Sequence, residues 1–169
     1  GFRAVTLTDA VQGIVMIIGT LALLIGTIKY GGGIPNIISD LKAIDPDLLT
    51  PFGPDNFVAK PYILSFWVLV CFGVIGLPQT AIRCMGYKDS KSMHNAMIIG
   101  TFVMGFLMLG MHIIGVFGRA IIPDLAVSDK LMPELTLKVL NPVFAGLFLA
   151  GPLAAIMSTI DSQLILAAA

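Results

Sequence analysis

The stretch from Val11 to Ile28 is almost purely apolar, and no other feature limits the fold as much. A helix needs about 20 apolar residues to cross the hydrocarbon of a bilayer. Starting the helix near Thr6 and ending it at Tyr30 meets that length, and Gly31-Gly32-Gly33 with Pro35 then stops it. Three further runs of the same kind follow, at 62–82, 93–118 and 142–166. Charge supports this reading. Only 12% of the 169 residues are charged and 57% are hydrophobic, against about 25% and 45–50% in soluble domains. A water-facing surface needs charge, so this chain is expected to be an all-α, multi-pass membrane protein with four transmembrane helices. Its mean hydropathy of +0.95 agrees.

The spans leave polar loops at 31–61 and 119–141 on one side and a short loop at 83–92 on the other. The short loop carries Arg83, Lys88 and Lys91. Basic residues accumulate on the cytoplasmic face, so the 83–92 loop is assigned there and the longer loops outside. Short helices are expected around Ile34–Ala43 and within 119–138. Ten basic and ten acidic residues give a net charge of zero with no basic stripe, which argues against a nucleic-acid partner. The chain opens on Gly1 with no signal peptide and ends inside an apolar run, so it reads as an internal fragment that lacks the remainder of its own chain. Cys71 and Cys84 are too far apart on a continuous helix to form a disulfide. No GxSxG, HExxH or phosphate-binding glycine loop is present, so the chain is not expected to be an enzyme and no cofactor is implied.

Polar residues inside apolar spans are costly, so each one is a candidate. Ala155, Ser158, Thr159 and Ser162 follow i, i+3, i+4, i+7 spacing and share a helical stripe. The stripe offers hydroxyl and carbonyl oxygens, the ligands hard cations take. The alternative is local: serine and threonine in membrane helices bond back to a carbonyl one turn earlier. Asp9 either caps the first helix or draws a cation along a route. Asp161 either shares the stripe's cavity or pairs with a basic loop residue. Gly73, Gly76 and Pro78 interrupt the second span. Pro78 has no N–H, so the Val74 carbonyl loses its usual partner. The break is either a packing kink or a transporter binding site. His112 reads as a packing or hydrogen-bonding residue, and Trp67 as an interfacial anchor.

Three segments together resemble the solute:sodium symporter family. They are Ala154-Ala155-Ile156-Met157-Ser158-Thr159-Ile160-Asp161-Ser162-Gln163-Leu164, Thr8-Asp9-Ala10-Val11-Gln12, and Gly76-Leu77-Pro78-Gln79-Thr80-Ala81-Ile82-Arg83. Their order and spacing match across essentially the whole chain. The resemblance implies a five-plus-five inverted-repeat core, of which these spans are core helices five to eight. It implies sodium as the coupling ion, held by the Ala155 carbonyl and the Ser158 and Thr159 hydroxyls, with the completing helix outside this chain. It places Asp9 on the sodium pathway and substrate contacts near Val70 and Val74. Relatives often have polar or aromatic residues at those two positions, and the valines here favour a longer, partly apolar substrate over a sugar. The implied function is sodium-coupled import of a small molecule across the inner (plasma) membrane by alternating access. A symporter for another small carboxylate or amino acid, or the symporter-like input module of a membrane sensor, are the alternatives.

Overall fold

The computed structural model describes residues 2–73, 75–125 and 127–168, with all their side chains except those of Phe2, Arg3, Gln79, Ile82, Arg83, Ser162, Ile165, Leu166 and Ala168. The described residues are helical, with no strand among them. The helices are α1 (Phe2–Tyr30), α2 (Ile34–Ile44), α3 (Lys60–Val68), α4 (Pro78–Met85), α5 (Ser90–Ile121), α6 (Leu131–Val139) and α7 (Pro142–Ala168). Three stretches among them are long and apolar enough to cross a membrane: Ala4–Tyr30, Ser90–Ile121 and Pro142–Asp161. The stretch expected to form the second span is not one helix. After α3 the backbone widens into a π-helical turn at Leu69–Gly73, leaves helical geometry, and restarts at Pro78. Pro78 suits that restart, because a helix's first turn has no use for its missing N–H.

α1 begins well before Thr8, which changes the reading of its first polar residues. Thr8 does not cap; its hydroxyl donates back to the Val5 carbonyl at 2.8 Å and the Ala4 carbonyl at 3.2 Å. Asp9 therefore lies in the helix interior. The other end is closed by backbone geometry. Gly33 N–H donates to Ile28 O at 2.8 Å and Gly32 N–H to Lys29 O at 3.2 Å, while Gly32 has φ of 73°. This pairing satisfies the last carbonyls of the helix and needs a left-handed residue between them, which glycine supplies without a Cβ clash.

α1 lies between α5 and α7. It runs parallel to α5 and antiparallel to α7. In a membrane, lipid tails are as apolar as leucine, so helices associate by close packing and not by expelling water. Glycines provide the close approach. A Cβ on Gly19 would lie 3.2 Å from the Phe148 Cα, and one on Gly110 would lie 3.0 Å from the Thr20 Cγ2. In α5 the five-residue glycine series splits: Gly110 and Gly115 face neighbours, whereas Gly100 and Gly105 have nothing within 4 Å. Leu23, Ile114, Leu135 and Phe148 form the buried centre, one each from α1, α5, α6 and α7.

The short helices close the bundle at the end where α1 and α5 finish. α2 packs on α5 through buried Ile37 and Leu41. Lys138 of α6 donates to the Ile121 carbonyl at the C-terminus of α5, 3.2 Å away, and its ammonium stands 5.7 Å from the Tyr30 ring. One cation thus ties α6 to the negative end of α5 and to the last residue of α1.

Candidate functional site

The sequence candidates concentrate in the half of the α1–α7 seam nearer the start of α1. Two contacts fix its register. Met16 Cγ is 3.9 Å from where a Gly151 Cβ would sit, and Gly19 approaches Phe148. Moving back seven residues along α1 from Met16 reaches Asp9; moving on seven along α7 from Gly151 reaches Ser158. Seven residues are about two helical turns, so both positions stay on the seam face. Four residues from the same anchors give Gln12 and Ala155. Asp9, Gln12, Ala155, Ser158 and Asp161 are all partly buried, while Thr159 is exposed.

On α7 the oxygens gather around one carbonyl. Ser158 Oγ and Thr159 Oγ1 each donate to the Ala155 carbonyl, both at 3.0 Å. This is the local bonding that such residues adopt in membrane helices. The same geometry holds both hydroxyl oxygens within hydrogen-bonding distance of one carbonyl oxygen. A cation arriving there would need only the two hydroxyl protons to turn away, after which all three oxygens present lone pairs. The Ser162 side chain lies outside those described.

On α1, Oδ1 of Asp9 and Oε1 of Gln12 are both buried. Sequence reasoning passes over Gln12, quoting it only as the end of the Thr8–Gln12 segment. The available signal was its spacing, three residues after Asp9 and hence on the same face. α4 packs against α7, with Thr80 half-buried on it.

Other candidates fall elsewhere. Val70 lies within the π-helical turn and is 44% exposed. Val74 lies outside the described residues. Gly73 ends the π turn, Gly76 lies in the non-helical link, and Pro78 opens α4. Cys71 and Cys84 are free thiols on opposite sides of this break, so they do not share the continuous helix that the sequence suggested. His112 is exposed on α5 with Nδ1 2.6 Å from the Met108 carbonyl, which makes Nδ1 the protonated nitrogen. Trp67 is exposed on α3. Among the described residues, no group of three or more His, Cys, Asp or Glu side chains converges to hold a metal.

Further from the start of α1 than the oxygen cluster, the three long helices line a half-open cavity of about 200 Å³. Met16 and Thr20 of α1, Leu107 and Met111 of α5, and Phe148 and Pro152 of α7 line it. Pro152 lies inside α7 and cannot donate to the Phe148 carbonyl one turn earlier.

A broken apolar segment beside continuous membrane-length helices, with oxygens clustered in the seam between two of them, marks a helical membrane protein and is an arrangement also found in secondary transporters. Sequence comparison places it more narrowly. Residues 1–169 match the sodium:solute symporter family, and the chain belongs to that family. It is 59% identical to the sodium/pantothenate symporter of Haemophilus influenzae and 56% identical to that of Escherichia coli, in each case over 98% of this chain and 34% of the relative. It is 34% identical to the osmoregulated proline transporter OpuE of Bacillus subtilis over 99% of this chain and 34% of that protein. The chain therefore spans about a third of the length of these relatives. No solved structure matches it.

Proposed function

We infer that this chain is part of a sodium-coupled symporter that imports pantothenate across the inner membrane by alternating access. The observation that carries the reading is the 59% and 56% identity to proteins named sodium/pantothenate symporter, against 34% to the proline transporter. Two runs, Phe66–Pro78 and Tyr87–Lys91, carry that narrower resemblance within the sequence. The proline transporter motivates the second reading, a symporter for another small carboxylate or amino acid.

In this reading the Ala155 carbonyl with the Ser158 and Thr159 hydroxyls is half of the sodium site. A hard cation of this kind takes roughly six oxygens, so a helix of the longer protein must supply the rest. Asp9, across the seam, attracts the ion toward the cytoplasm. The fourth membrane crossing is composite, made of α3, the π turn, the link through Gly76 and α4. Val70 and Val74 lie at this break and contact substrate with apolar surface, which suits the branched carbon chain of pantothenate. The loop at 83–92 is cytoplasmic. Sodium binding favours the outward-open state, which binds substrate better, and linkage requires the converse.

The test is uptake of labelled pantothenate by the full-length protein in vesicles with and without a sodium gradient. Sodium-independent uptake would sink the coupling, and proline competing fully with pantothenate would favour the second reading. Replacing Ser158→Ala and Thr159→Ala together removes two ligand oxygens and should raise half-saturating sodium by at least about tenfold. An unchanged sodium response would remove these residues from the site.

A further inference from the structure

The half-open cavity between the three long helices holds one polar side chain that the chain leaves unpaired. α5 and α7 each pack on α1, and no comparable packing joins them to one another. They stand as two walls of a cleft with α1 as its floor. The lining is apolar at Met16, Leu107, Met111, Phe148 and Pro152, and Thr20 is the exception. Thr20 is only 4% exposed, and among the described residues its hydroxyl makes no hydrogen bond. Other helical threonines of this chain behave differently. Thr101, Thr136 and Thr159 each donate to the carbonyl four residues earlier, at 2.8, 2.6 and 3.0 Å. In Thr20 it is the methyl that is anchored, with Cγ2 seated against Gly110, 3.0 Å from where a Cβ would stand. The opposite wall adds a second polar group. Pro152 withholds the N–H that the Phe148 carbonyl would otherwise accept from. Buried polar groups are normally paired, and the core of a bilayer offers no water to pair them.

We propose that this cleft binds a small apolar molecule carrying one hydroxyl group. That hydroxyl accepts from the Thr20 hydroxyl and donates to the Phe148 carbonyl, while the hydrocarbon part lies against Met16, Leu107 and Met111. Volume sets the size. An apolar cavity of about 150 Å³ accommodates benzene. The cleft, at about 200 Å³, therefore suits about eight non-hydrogen atoms, the size of benzyl alcohol. Two methionines suit such a guest, because a flexible thioether adapts to its shape and makes favourable contact with an aromatic ring. Water alone would pair the polar groups but leave the apolar remainder of the space empty. A charged solute would find nothing there to offset its desolvation. The site lies apart from the oxygen cluster on α7 and does not depend on the symport reading.

Ligand-detected NMR on the purified full-length protein tests this, with benzyl alcohol as the probe and toluene as the control that lacks the hydroxyl. Benzyl alcohol should bind the unmodified protein. Thr20→Val keeps the shape of the side chain and the methyl against Gly110 but removes the hydroxyl. It should weaken benzyl alcohol about tenfold and change toluene, where it binds, by less than about twofold. Leu107→Trp fills the cleft and should abolish binding of both. If Leu107→Trp does not fold, the contrast between the two probes in Thr20→Val decides alone. No binding of benzyl alcohol to the unmodified protein overturns the proposal and would mean that another part of the longer protein fills the cleft. Binding of toluene alone also overturns it, since the cleft is then a plain apolar hole. So does an equal effect of Thr20→Val on both probes, or undisturbed binding of benzyl alcohol in folded Leu107→Trp.

Discussion

Asp89 shows how a single side chain sets an element boundary here. It lies just before α5, and its Oδ1 accepts from the Ser92 N–H at 2.7 Å. That bond to the Ser92 backbone, aided by the Ser92 hydroxyl, holds the carboxyl below its ordinary value of 3.8. A lowered carboxylate pKa contributes stability that is present above the unfolded value and is lost as pH falls through the folded one. The Ser92 amide should therefore keep its hydrogen-exchange protection through the ordinary carboxylate range and lose it only as pH falls further, through the lowered folded value. Asp89→Ala should remove the protection at every pH, and exchange indifferent to both pH and substitution would disprove the cap. The sequence leads one to expect Asp89 inside the 83–92 loop and a span beginning at 93, whereas α5 starts at Ser90 with Asp89 as its cap. The role of Thr8 was not readable either, because sequence does not say which of two hydroxyl geometries a helix will choose.

At the scale of elements, the long spans α1, α5 and α7 follow from hydrophobic runs that nothing interrupts decisively. Pro152 is the exception that does not break its helix, since one lost bond within a well-packed apolar helix is tolerable in a membrane. The stretch from Lys60 to Met85 behaves differently. Two glycines and a proline within a few residues remove both the side-chain packing and the N–H that would carry a helix through. The sequence marked the break at Gly73, Gly76 and Pro78, but the widening to a π turn at Leu69–Gly73 came only with the structure. Pairing of elements is governed by small residues. Because the Phe148 Cα is backbone and cannot swing aside, Gly19→Ala should destabilise the full-length protein by about 1–3 kcal/mol, and Gly19→Leu by more. Thermal unfolding in detergent would check this, and a neutral Gly19→Leu would mean that α1 and α7 are not in the contact described.

On the scale of the whole molecule, the antiparallel seam between α1 and α7 brings together residues nearly the full chain length apart. Its register is open to direct test. In a Cys71→Ser, Cys84→Ser background, Met16→Cys with Gly151→Cys should form an oxidative cross-link, because Met16 Cγ comes within 3.9 Å of the position a Gly151 Cβ would take. Met16→Cys with Leu153→Cys should cross-link poorly, since Leu153 faces outward and is 63% exposed. Equal yields would refute the register, and with it the placing of Gln12 opposite Ala155. By itself the sequence determined the membrane class, three of the four spans it led one to expect, the interruption of the remaining one and the spacing of the oxygen stripe on α7, because hydrophobic period, proline chemistry and helical spacing are local properties. Only the tertiary structure decided that Asp9 belongs to a helix interior, that α1 lies between α5 and α7, and that the buried oxygen of Gln12 faces the same seam. Those facts depend on which glycines meet which backbones across the chain. No local pattern encodes that, and it is what turned a stripe on one helix into a seam between two.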